Sequence, residues 1–402
     1  MTASSAPDPF RIDIADDALD DLRRRLRATR FVEPSSTERW AGGVDPDYLR
    51  SLVSYWAEEF DWPARQAALN EYPQFTAEVA GRRLHFVHLR AVPGSSSAVR
   101  DDPGGSEVAG AGTSAPRPPL ILCHGWPSSF VEMLPLAERL ADPARFGGDA
   151  GDAVDVVVPS MPGFLFSELP DEPLSRQALA RPLHELMTGV LGYKTYGAFG
   201  GDIGGVASGW MAATHPEAVV GLHMIHPPFP ASFDDAPLTV DEQLFLDAEE
   251  HYDRTDGGYS AIMITRPDTV GAALIDSPSG LAAWIVDKYR DWSDCGGDVE
   301  SRWDRDTLCT VFTLYWVTGS IGTSLRQYFD FALSAARPMI TIPAAFTLSA
   351  EVGMVGFPRS IAERACSDIR SWNLPGRGGH FLAFEEPELM AAELTAFFGS
   401  LR

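Results

Sequence analysis

The sequence predicts an α/β protein: a mostly parallel sheet flanked by helices, with a helical cap inserted between two stretches of the core. Three observations predict it. Short apolar runs alternate with helical periodicity over 119–227, that rhythm gives way to helical, Trp- and Tyr-rich sequence over 228–336, and it resumes over 337–402. Strand and helix in alternation require crossovers, and right-handed crossovers produce a parallel sheet covered on both faces. With 402 residues, 45% hydrophobic and 22% charged, the chain has enough apolar surface for a large core, which excludes global disorder.

Residues 1–95 form a first segment. Leu19, Leu22 and Leu26 recur among Asp and Arg at helical spacing, and a second amphipathic helix over 46–60 carries Tyr48, Leu49, Leu52, Val53 and Trp56. Residues 75–78 and 83–90 alternate apolar and polar, which predicts a hairpin turning at Gly81. Residues 96–118 are rich in Gly, Ser, Ala and Pro without aromatics or periodicity, and predict a flexible excursion that carries no chemistry. In the core, strands are predicted over 119–123, 154–158, 196–199, 219–225 and 340–348, with helices over 131–140, 176–191, 206–215 and 387–398.

The formal charge of −24, from 32 basic and 56 acidic side chains, repels phosphate backbones and anionic lipid, and argues against nucleic acid or a membrane surface as partner. The four cysteines, Cys123, Cys295, Cys309 and Cys366, lack metal-ligand spacing and read as reduced thiols, so no metal and a cytoplasmic location are expected. No apolar run approaches the roughly 20 residues a membrane span requires, and neither export nor insertion is indicated.

The chemistry centres on Gly200-Gly201-Asp202-Ile203-Gly204, between a predicted strand and a helix. This is the spacing of a nucleophile elbow, a turn so tight that only glycines fit around one raised side chain. Here that side chain is a carboxylate. An alkoxide attacking a saturated carbon would leave an ether that water cannot readily cleave, whereas a carboxylate leaves an ester that the same site can hydrolyse. Epoxides and alkyl halides therefore qualify as substrates, and simple esters and amides do not. The second step needs a base and oxyanion donors. Gly378-Gly379-His380-Phe381 supplies a late histidine on a glycine-flanked loop, and His124-Gly125-Trp126-Pro127 follows the first core strand, where the Trp126 and Ile203 backbone N–H groups can form the oxyanion hole.

HGWPSS (124–129), PSMPGFLFS (159–167), GGDIGG (200–205), RPDTVGAALIDSPSGLAAW (266–284) and GRGGHFLAFEEPEL (376–389) resemble the microsomal-type epoxide hydrolases over nearly the whole chain. The resemblance implies an α/β-hydrolase fold with an N-terminal segment that wraps the core. It implies Asp202 as nucleophile, His380 as base, and Tyr259 and Tyr328 as cap phenols that donate to the epoxide oxygen. Such a phenol stabilises a developing alkoxide without being basic enough at neutral pH to quench the site. His124, Pro127, Phe164 and Trp316 are expected to contact the substrate. The cap aromatics Phe245, Trp284, Tyr289, Trp292, Trp303 and Phe312 point, with Trp316, to an apolar or aromatic one.

Four positions depart from the family pattern. Ile203 replaces the usual Trp, Ser128 the usual Gly, and Phe164-Leu165-Phe166 a Gly-containing run. Ser360, in Phe357-Pro358-Arg359-Ser360, stands where relatives place the carboxylate that orients the base. Glu351, just past the strand that precedes this motif, is the expected acid, with Asp234 or Asp235 as alternatives. The expected activity is cofactor-free opening of a small-molecule epoxide by water to a vicinal diol. A biosynthetic epoxide opened by another nucleophile, haloalkane dehalogenation and a non-catalytic ligand-binding protein stay open as alternatives, as does a homodimer.

Overall fold

The computed structural model describes residues 6–92 and 117–401. Residues 96–116 of the predicted excursion lie outside the described residues. One nine-stranded sheet organises the chain. Its strands are β1 (Asp8–Phe10), β2 (Gln74–Val79), β3 (Arg82–Leu89), β4 (Leu120–Cys123), β5 (Val156–Pro159), β6 (Tyr196–Gly200), β7 (Val219–Met224), β8 (Ala344–Thr347) and β9 (Ile369–Asn373). They lie in the order β1-β2-β3-β5-β4-β6-β7-β8-β9, parallel from β5 to β9 and antiparallel from β1 to the β3–β5 pairing. Every residue of β4, β5, β6 and β8 is buried. That is the continuous apolar signature of strands covered on both faces.

The N-terminal segment does more than wrap the core, because three of its strands extend the sheet. The β2–β3 hairpin turns through Ala80 and Gly81, at φ of 52° and 77°, the paired positive φ angles of a two-residue turn whose twist suits the flanking strands. Helix Asp16–Arg27 buries Leu19, Leu22 and Leu26, and helix Pro46–Glu58, capped by the Asp45 carboxylate, buries Leu49, Leu52, Val53 and Trp56. The last of these faces is laid against the helical insertion: the Trp56 indole donates to Thr313 Oγ1 at 2.9 Å and the Tyr55 hydroxyl to Asp306 at 2.7 Å.

Between β7 and β8 the chain leaves the sheet for helices that include Val240–Thr255, Gly258–Thr265, Pro267–Asp276, Pro278–Trp292, Arg305–Thr318 and Arg326–Asp330. They stand over the carboxyl ends of the parallel strands, where open α/β sheets gather their sites. Among the described residues no single helix is long and apolar enough to cross a membrane. Several short elements escape the sequence reading, among them β1, helix Trp62–Leu69 and β9. Helix Trp62–Leu69 is short, and β9, Ile-Arg-Ser-Trp-Asn, is a half-buried edge strand whose Arg and Ser blur its alternation.

Candidate active site

Asp202 stands between β6 and helix Asp202–Thr214 at φ 50°, a left-handed conformation rare for a residue with a Cβ. The surrounding glycines make it possible. A Cβ on Gly200 would collide with the Gly204 backbone, and one on Gly204 with the carbonyls of Cys123 and His124. The turn thus presses the start of the helix onto the end of β4 and lifts one carboxylate over the sheet. The Trp126 backbone N–H donates to Asp202 Oδ1 at 2.8 Å. Ile203 follows in the first helical turn, where N–H groups have no intrahelical acceptor, so its own is available as a donor.

His124 builds this loop and does not line the cavity above Asp202. It is fully buried, its Nε2 accepts from the Met161 N–H at 3.1 Å, and its Nδ1 lies 2.9 Å from the Gly125 carbonyl. With one ring nitrogen accepting, the other carries the proton, and burial pushes the imidazole down to about 4, so it stays neutral. Of the other expected substrate contacts, Pro127 and Phe164 are buried and Trp316 faces outward under the Arg25 guanidinium, 5.5 Å from its ring. None of the four lines the cavity above Asp202. Sequence spacing indicated that these residues lie near the site but not which way packing turns them.

That cavity has a volume of about 1030 Å³, and its wall includes Asp202, Ile203, Tyr259, Trp292, Tyr328, Glu351 and His380. Besides the two phenols, Trp292 is the one cap aromatic of those expected to mark an apolar partner that lines it among the described residues, while Phe245, Trp284, Tyr289, Trp303, Phe312 and Trp316 pack elsewhere. The Tyr259 ring stacks on Trp126 at 5.9 Å and 7°, and Tyr328 meets the same indole edge-on at 5.8 Å and 83°. One side chain therefore sets both phenols. Among the described residues neither hydroxyl has a hydrogen-bond partner, so both are free to donate into the cavity. Burial, followed by neighbouring groups that include Asp202, pushes both phenols well above the ordinary tyrosine range.

His380 Nδ1 lies 2.7 Å from Glu351 Oε2. Glu351 follows β8 by four residues, and the His380 loop is pinned by its own backbone N–H to the Trp292 carbonyl at 2.8 Å and by Ala350 N–H to the Gly378 carbonyl at 2.8 Å. Burial alone would lower the His380 pKa. The adjacent Glu351 carboxylate, and behind it Asp202, outweigh burial and raise it to about 8. Burial would likewise raise Glu351, but the two imidazoles beside it, His380 foremost, hold it well below the ordinary carboxylate range. Asp234 and Asp235 are exposed, and Asp235 pairs with Arg364 at 3.0 Å, so neither serves as the acid. Ser360 sits in the short helix Arg359–Glu363 beyond the loop that carries Glu351.

The second imidazole is His226, which the sequence reading missed. Its Nδ1 accepts the Asp202 backbone N–H at 2.7 Å, and its Nε2 comes within 2.7 Å of Glu351 Oε1, without hydrogen-bond alignment. It joins the nucleophile turn to the acid, with its ring 4.7 Å from that of His380. The available signal was its position two residues past β7, at the carboxyl end of a core strand. His226, Glu351 and His380 offer three ligand-type atoms within 4.8 Å of one another. Two imidazoles converging on one carboxylate account for that proximity through hydrogen bonding and charge.

Residues 7–133 match the family model described as the epoxide hydrolase N terminus, and residues 118–251 the model described as the alpha/beta hydrolase fold. A putative epoxide hydrolase of Stigmatella aurantiaca is 37% identical over 98% of this chain and 85% of its own length. Epoxide hydrolase 1 of Sus scrofa is 30% identical over 98% of this chain and 88% of its own length. Among solved structures, that of Aspergillus niger epoxide hydrolase superposes with a TM-score of 0.81 at 27% identity, covering 100% of this chain and 98% of that one. Juvenile hormone epoxide hydrolase from the silkworm Bombyx mori gives 0.80 at 29%, over 99% and 94%. With a relative of this identity matched almost from end to end, and with fold and sequence agreeing, the chain belongs to the epoxide hydrolases, enzymes of the α/β-hydrolase fold.

Proposed function

We propose that this enzyme opens an epoxide with an apolar or aromatic body to a vicinal diol through a covalent ester on Asp202. The observation that carries the reading is the carboxylate on its glycine-walled turn, held by Trp126 N–H and sharing one cavity with two unpaired phenols and a carboxylate-backed imidazole. The oxygen bonded to Trp126, Oδ1, is the one already placed for the oxyanion hole, which leaves Oδ2 to attack. Oδ2 forms a bond to one epoxide carbon, the carbon–oxygen bond of the ring breaks, and its electron pair goes to the ring oxygen. Tyr259 and Tyr328 donate hydrogen bonds to that oxygen, which becomes a hydroxyl by taking the proton of one phenol, and solvent then reprotonates that phenol.

The second step is ester hydrolysis. Neutral His380 takes a proton from water, the hydroxide adds to the ester carbonyl carbon, and the negative charge gathers on Oδ1 against the N–H groups of Trp126 and Ile203. Glu351 holds the imidazole in the productive tautomer and stabilises the imidazolium. Collapse of the tetrahedral adduct breaks the bond between Cγ and Oδ2, the imidazolium returns its proton to the departing oxygen to complete the diol, and the Asp202 carboxyl gives up its proton to solvent as the carboxylate. The partners in this scheme are the small-molecule epoxide and water. Apolar cavity walls, Val206, Met224, Phe229 and Phe331 among them, support an apolar substrate body. A single turnover in oxygen-18 water tests the scheme. The label enters the Asp202 carboxylate and the diol carries oxygen from the enzyme, whereas label in the diol and none in the Asp202 peptide would exclude the ester.

A further inference from the structure

Among the charged side chains in the same cavity that the ring-opening chemistry does not use, two are cationic. Arg176 and Arg337 both line it and reach it from separate parts of the chain. Arg176 opens the core helix Arg176–Glu185, and Arg337 lies on the return from the helical insertion to β8. In a chain with 56 acidic side chains, neither guanidinium has a carboxylate at ion-pair distance among the described residues. Arg337 is half-buried and held in place by bonds from Nη1 to the Pro338 carbonyl at 3.3 Å and from Nη2 to the Phe229 carbonyl at 3.1 Å. Neutral acceptors fix its position and leave its charge unmatched. The exposed Arg176 guanidinium lies 5.0 Å over the Phe331 ring and has no side-chain hydrogen bond among the described residues.

The local field is positive for a second reason. Arg176 sits in the first turn of its helix, which contains no acidic residue, so the helix dipole adds to the two guanidinium charges. Burial, and the Arg176 charge behind it, hold Arg337 below its ordinary range. Two like charges on one wall cost free energy that a shared anion recovers. Acidic side chains line the same cavity, Glu249 and Asp253 from helix Val240–Thr255 together with Asp256 and Asp291, and burial raises Glu249 to about 7.

We propose that Arg176 and Arg337 form a carboxylate-binding subsite, and that the preferred substrates are amphiphilic epoxides whose apolar body separates the ring from a carboxylate. The subsite rests on the cavity being the epoxide site and refines its substrate class. Calorimetric titration of undecanoate, which has no epoxide, against undecanol tests it without catalysis. Wild type is expected to bind the anion about tenfold or more tightly than the alcohol, as charge-assisted hydrogen bonds provide, and the preference shrinks with added salt. The R176Q/R337Q double variant loses the preference and R337K keeps most of it. Turnover of the ω-epoxide of undecanoic acid and of its methyl ester reads the same contact, with the acid favoured through KM in wild type and the acid-to-ester ratio of kcat/KM near one in the double variant. Equal affinity for anion and alcohol in wild type, or a preference that survives both substitutions, overturns the subsite. Absence of oxygen-18 label at Asp202 would instead overturn the covalent scheme and leave the binding result standing.

Discussion

A carboxylate raised on a tight turn can attack a saturated carbon, but the ester it forms is released only if a base works on it, so the two steps depend on different residues. Asp202→Ala removes the attacking oxygen, and turnover is expected to fall by at least roughly 10⁴-fold with no alkylated peptide by mass spectrometry. Glu351→Gln leaves the nucleophile intact but removes the charge that holds His380 high and in register. The ester then accumulates, and single-turnover kinetics are expected to show hydrolysis slowed far more than alkylation. His226→Phe takes away the acceptor for the Asp202 N–H and one imidazole beside Glu351. The expected loss in kcat is on the order of tenfold to a hundredfold, the size of a small misplacement at a reacting centre. His380 must be neutral to act as base, and its pKa is raised to about 8. As pH falls through that value the imidazole protonates, so single-turnover ester hydrolysis declines toward acid pH. Alkylation keeps its phenol donors across the same range, because both tyrosines are pushed upward.

At the scale of elements, the start of the helix after β6 comes closest to the end of β4 at Gly204. Gly204→Ala would drive a methyl group into the carbonyls of Cys123 and His124, backbone that cannot swing aside as a side chain can. A destabilisation of about 3 kcal/mol or more is expected, read as a lowered Tm or loss of soluble enzyme, and an unchanged melting curve would show that the turn is looser than its geometry indicates. The strands that were legible are those whose runs are apolar throughout, such as Leu120–Cys123 and Val156–Pro159. The half-polar edge strand Ile369–Asn373 was not, because its register comes from pairing with β8 rather than from its own pattern. Helices of the insertion were legible as a class, but the stacking of Tyr259 and Tyr328 on Trp126 joins residues far apart in sequence.

At the scale of the whole molecule, the N-terminal segment braces two parts at once, adding strands to the sheet and laying Trp56 against the insertion. The Trp56 indole is buried and hydrogen-bonded to Thr313. Trp56→Ala opens a large cavity and leaves a buried hydroxyl short of its donor, at a cost of about 3–5 kcal/mol. A lowered Tm in calorimetry checks the stability term. An accompanying rise in KM would reveal that the brace also sets the helices carrying Tyr259 and Tyr328.

By itself the sequence determined what local constraint can encode: the alternation that makes a parallel sheet, the glycines that leave room for one raised carboxylate, and the histidine on its glycine-flanked loop. Glu351 was reachable because acids in this architecture follow a strand end. Only the tertiary structure decided which neighbours face the cavity, turning His124, Pro127, Phe164 and Trp316 away from it and bringing in His226, Arg176 and Arg337. The physical reason is that a side chain's role depends on contacts with residues scores of positions away. Those contacts are set by packing all the layers together, and no window of sequence contains them.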